Sequence, residues 1–180
     1  DQVTAAYRRH SAVDKLVETL QRKNADVEAD AKKYKFVPGI IVQKAAILLG
    51  DLRSKKAVPA LLAELQKKDD GLGTGPDGMP GVSGHQAILQ SLGQIGDPSA
   101  TKAVLAVLSD GKRDPKHRAA AAEGLNMLGD MSALPILLGI AKTPFLTPPK
   151  NKDEMPELDT NKATLVAYAV TQASRLTDKD

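Results

Sequence analysis

One nine-residue pattern recurs four times without gaps, at Ala12 to Leu20, Ala57 to Leu65, Ala100 to Leu108 and Ala133 to Ala141. Internal repetition on this scale constrains the fold more than any other feature, because each copy must become the same unit and none can bury its apolar face alone. The first column is Ala in every copy. The fifth holds Leu16, Leu61, Val104 and Leu137, and the sixth holds Val17, Leu62, Leu105 and Leu138. Together with the ninth column, these offsets fall on one side of a helix at about 3.6 residues per turn, so the spacing predicts a helix, B, in each copy.

A second stripe precedes three of the B segments and recurs near the end of the chain. Ala45-Ala46, Leu49 and Leu52 match Ile88-Leu89, Leu92 and Ile95, then Ala121-Ala122, Leu125 and Leu128, and last Ala169-Val170, Ala173 and Leu176. These positions predict a helix A. Five residues separate each stripe from the Ala that opens B. Gly50-Asp51, Gly96-Asp97 and Gly129-Asp130 read there as a helix stop followed by a capping side chain. Pro59, Pro98 and Pro135 fall in the first turn of B, where a missing N–H costs little. A core of Ala, Leu, Val and Ile with aromatics at 3% suits close helix packing better than a β-sandwich.

The phrases Leu92-Gly93-Gln94-Ile95-Gly96-Asp97-Pro98-Ser99-Ala100 and Leu128-Gly129-Asp130-Met131-Ser132-Ala133 resemble bacterial HEAT repeats of the phycobilisome-lyase-like kind. The resemblance covers nearly the whole chain apart from the insertions. It implies an all-α fold, a right-handed αα superhelix of antiparallel helix pairs without strands. Helices are predicted at 11–23, 39–53, 56–68, 83–95, 98–109, 115–129, 131–143 and 160–177. The chain reads as one solenoid segment over 1–180, with partial repeats at 1–23 and 160–180 and full ones at 39–68, 83–109 and 115–143. Steps of 45, 43 and 33 residues down the Ala column place the excess in three long loops, 24–38, 68–82 and 144–159. A short helix is compatible with Asp26 to Lys33 in the first. In a solenoid these connections emerge along one rim.

Such repeats serve many tasks, so function is read from the residues. His10, His85 and His117 form no i, i+4 pair, and each of the last two opens a helix A, where solvation is expected. Ser83 lies in Gly81-Val82-Ser83-Gly84-His85, which is not a nucleophile elbow, and reads as a helix N-cap. Gly73 to Gly78 formally matches G-x-G-x-x-G, but it follows a helix and is broken by Pro76 and Pro80, so it reads as a surface loop. Asp69, Asp70 and Asp77 lack the spacing of a calcium loop. No nucleophile, base and orienting group assemble, and no metal, cofactor or enzymatic activity is predicted. Lys32, Lys33 and Lys35 around Tyr34 and Phe36 read as a solvated loop with tucked aromatics. A net charge of +3 is too weak a field for a dedicated nucleic-acid binder. The absence of Cys excludes disulfides and thiolate chemistry, and it leans the location toward the cell envelope or periplasm. No apolar run approaches the ~18–20 residues of a membrane span.

The informative surface is the outer side of B, which lines the concave face in HEAT solenoids generally. The first copy carries Asp14, Lys15 and Glu18 there. The other three carry Pro59, Ala60 and Ala63; Lys102, Ala103 and Ala106; Pro135, Ile136 and Gly139. A solvated face normally bears several charges, and here only Lys102 does. Small side chains let a partner's helix or backbone come close; tight curvature that crowds this side would also demand them. The expected function is a scaffold or adaptor that holds a protein on this face and the loop rim. A lyase-type enzyme subunit and a HEAT-like nucleic-acid binder are the alternatives. Tyr7 and Thr4 align with Leu52 and Leu49, and the Ala due after Leu176 would fall beyond Asp180. The chain ends are therefore expected to be covered by further repeats or by another subunit.

Overall fold

In the computed structural model, residues 12–34, 38–69, 83–142, 146–147 and 157–177 are described. Among the described residues the fold is helical, as the stripes require, apart from one short strand pair. Helix α1 runs over 12–20, followed by α2 (Ala25–Tyr34), α3 (Pro38–Asp51), α4 (Val58–Leu65), α5 (Gly84–Ile95), α6 (Thr101–Ser109), α7 (Pro115–Leu128), α8 (Leu134–Ala141) and α9 (Thr160–Thr177). The chain divides into two compact units, Asp1–Ala100 and Thr101–Asp180.

In the first unit α5 packs on α3 and on α4. Ile88, Leu89 and Leu92 are fully buried, and so are Ala46 and Leu49 of α3. Each large side chain contributes about 1.5–3 kcal/mol on leaving water. Ser91 sits at the contact with its hydroxyl 2.7 Å from both the Ala46 and Ala87 carbonyl oxygens, so its single proton is shared between helices or alternates. α5 begins on a reciprocal cap. Ser83 Oγ accepts from the Gln86 N–H at 3.1 Å, and Gln86 Oε1 accepts from the Ser83 N–H at 3.0 Å.

In the second unit α7 packs on α6 and α9, and α8 packs on α9. Asp114 caps α7 by accepting from the Lys116 N–H at 2.8 Å, ahead of Pro115. Arg118 Nε donates to the Leu108 carbonyl at 2.9 Å, satisfying an orphan acceptor near the end of α6. Gly96 in the first unit and Gly129 in the second end their helices at φ +71°, the left-handed cap that the Gly-Asp turn predicts.

Several expectations are corrected. Gly50 is no helix stop: α3 continues to Asp51, and Arg53 takes the positive φ instead. A Cβ at Gly50 would overlap Gln94 Oε1 and lie 2.9 Å from Ser91 Oγ and 3.0 Å from Ser91 Cα, so this glycine lets α5 approach α3. Each full B segment opens with a 3₁₀ turn, Lys55–Ala57, Pro98–Ala100 and Met131–Ala133. Asp97 and Asp130 support two of these turns by accepting from the N–H groups of Ser99 and Ser132 at 3.0 and 2.8 Å. The connection 24–38 is not all loop: the short helix expected around Asp26 to Lys33 is present as α2 and occupies most of it. An antiparallel pair of two-residue strands joins Leu146 to Leu158 and Thr147 to Glu157 inside 144–159, where no strand was predicted.

The sixth column is not core. Leu62 and Leu105 are half-buried and Leu138 is 44% exposed. The eighth column takes that place through Glu64 and Val107. Leu52, past the end of α3, is 40% exposed, and Val170 is 65% exposed. In the first copy Ala12 is exposed and Val13 is buried in its stead. Residues 70–82, with the glycine-rich stretch and two of the three loop aspartates, lie outside the described residues. So do Thr4, Tyr7, His10, Lys35, Phe36 and the side chains of Tyr34 and Leu176.

Candidate binding surfaces

α4 of the first unit turns Val58, Leu61 and Leu65 inward, which leaves Pro59 and Ala63 exposed. Ala60, assigned to the open face from the repeat, is 7% exposed and belongs to the core side. Its column is the turning point of the helix: one residue later lies the fully buried Leu61. Glu64 is nearly buried and meets its charge requirement through Lys67. The first copy differs in kind. Asp14, Lys15 and Glu18 of α1 are exposed, and Asp14 pairs with Lys56 at 2.6 Å.

In the second unit α6 buries Val104, Val107 and Leu108 and exposes Lys102 and Ala106, with Ala103 half-buried. α8 exposes Pro135, Leu138 and Gly139, with Ile136 half-buried. A Cβ on Gly139 would meet nothing within 4 Å among the described residues. Crowding therefore does not explain the missing side chain at that position. The surface on α8 is apolar and open, and Leu138 adds a large exposed side chain that column arithmetic had placed inside.

His85 corrects another expectation. It is 3% exposed, because the first turn of α5 is pressed onto α3: a Cβ at Gly84 would already stand 3.1 Å from Val42 Cγ1. A small pocket within the first unit is lined by Gly39, Val42, Glu64, Lys68, Asp69, Gly84 and His85. Asp69 brings a carboxylate oxygen within 4.8 Å of an imidazole nitrogen of His85. His117, in the second unit, is half-buried.

A larger pocket of about 400 Å³ opens among α1, α2 and α3, lined by Leu16, Thr19, Val27, Ile40, Ile41, Lys44, Ala45 and Leu48. Repeat reasoning missed it because α2 belongs to an insertion. The available signal was the surplus of apolar residues in α3, where Ile40 and Leu48 fall outside the stripe that packs on α5. Lys32 and Lys33 are exposed on α2, and Arg22 Nη2 donates to Glu28 Oε2 at 2.7 Å.

Among the described residues three groups titrate away from their ordinary values. The Arg22 hydrogen bond holds Glu28 low, and the Ser99 N–H holds Asp97 low. Burial raises the Tyr168 phenol on α9, and the neighbouring Glu123 of α7 raises it further. Among the described residues no helix is long and apolar enough to cross a membrane. Residues 84–146, about a third of the chain, match the family model for HEAT repeats, which supports a HEAT-repeat protein. The curated proteins contain no match.

Proposed function

We propose that this chain is a binding module that holds a protein partner on the exposed side of its B helices. HEAT repeats are commonly protein-interaction scaffolds. The observation that carries the reading is the open, uncharged character of these positions helix by helix: Pro59 and Ala63 on α4, Ala106 on α6 beside the charged Lys102, and Pro135 and Gly139 on α8. Unexplained small residues at solvent positions leave room for another backbone. Lys102 and Ala103 on α6 and Ile136 on α8 stay within this reading, and the buried Ala60 is withdrawn from it. The two turn phrases that resemble phycobilisome-lyase-like repeats support the architecture within this proposal and lend it no chemistry. The cysteine-free composition keeps an exported location within it.

The test is a pull-down with the intact chain, run with and without nuclease and across a salt series. A retained protein that survives nuclease and shows a shallow salt response supports the proposal. Retention of nucleic acid with affinity falling steeply in salt would replace it with phosphate recognition.

A further inference from the structure

We infer that the pocket among α1, α2 and α3 is a site for a single-chain amphiphile with an anionic head, of the fatty-acid type. It shares no lining residue with the B-helix surface proposed above. Its volume of about 400 Å³ falls low in the ~300–1,000 Å³ range of small-molecule sites, enough for one chain or ring system.

The lining decides the chemistry. Leu16, Val27, Ile40, Ile41, Ala45 and Leu48 supply apolar walls. The polar atom of Thr19 is already engaged: its hydroxyl donates to the Lys15 carbonyl at 2.7 Å and accepts from Asn24 Nδ2 at 3.1 Å. A sugar or nucleobase placed here would lose its water hydrogen bonds without replacement. An alkyl chain loses none and removes Leu48, 48% exposed, from water.

Lys44 is the one charged residue of the lining, and it is exposed. Among the described residues it is in no ion pair. An ammonium beside an apolar cleft selects a ligand with a negative end and disfavours a cationic one.

Calorimetric titration of the intact chain with decanoate, decanol and decyltrimethylammonium, each below its micelle concentration, tests this. The expected result is saturable one-to-one binding in the order decanoate, decanol, decyltrimethylammonium. Lys44→Met should weaken decanoate about fivefold, the upper range for an exposed ion pair, and leave decanol unchanged. Leu48→Glu changes a half-exposed residue and so keeps the fold. It should abolish decanoate binding and relieve the discrimination against the cation. Three outcomes would overturn the proposal: no saturable binding of decanoate, binding of all three amphiphiles indifferent to both substitutions, or a hydrophobic acidic peptide binding where decanoate does not.

Discussion

Single positions decide this fold by contact geometry more than by propensity. Gly50 lies within a helix, where replacing glycine with alanine ordinarily gains about 0.8–1 kcal/mol. Its Cβ would collide with Gln94 and Ser91, so Gly50→Ala should lower stability by about 1–3 kcal/mol, read as a lower denaturant midpoint at unchanged slope. A midpoint that rises would show that α5 gives way freely. Ser83→Ala removes the accepting half of the α5 cap and should cost about 1 kcal/mol, while Ser83→Thr should keep most of it. The cap itself was legible, since Ser before an apolar run has few other uses. The role of Gly50 was not. Its Gly-Asp pair is identical in sequence to Gly96-Asp97 but differs in register: Gly50 aligns with Gly93, and Arg53 with the left-handed Gly96.

At the scale of helices the periodic stripes placed every helix of the repeat, because burial of one face is what holds a helix in water. They did not resolve which of two neighbouring columns is core. A rotation of a fraction of a turn exchanges the sixth column for the eighth, and Leu138 outside with Glu64 inside runs against hydrophobicity alone. The helix α2 was half legible, through a window compatible with helix inside a connection that the repeat count assigned to a loop. α7 and α9 meet at Tyr168, whose raised pKa carries a sign. The native state keeps the phenolic proton after an unfolded tyrosine has lost it near pH 10, so the stabilisation is complete below that pH and lost as pH rises through the raised value. Tyr168→Phe should flatten the fall in unfolding midpoint as pH rises above about 10, relative to wild type. Parallel curves would place Tyr168 in the same environment folded and unfolded.

For the molecule as a whole, repetition made the class legible and left function to the residues that the repeat does not need. The candidate surface was visible as missing charge, and eight of its nine positions are exposed or half-buried. Ala60 failed because column averaging cannot see that α4 buries its fourth column, where α6 and α8 leave Ala103 and Ile136 half-buried. The pocket among α1, α2 and α3 was invisible because it depends on α2, which lies in an insertion outside the repeat. If the connection from Lys68 to Val82 contributes to partner contact, deleting Gly71 to Gly78 should weaken binding and spare the melting curve, since shortening a loop has a small entropic effect. The most direct test is the double variant Ala63→Glu, Ala106→Glu, immobilised beside wild type, with retained proteins quantified by mass spectrometry and melting recorded on the same preparations. Both side chains are exposed, so melting within about 2 °C of wild type is expected. The account predicts that at least one protein held by wild type falls tenfold or more on the variant. An unchanged set of retained proteins, or a variant that unfolds, would contradict it.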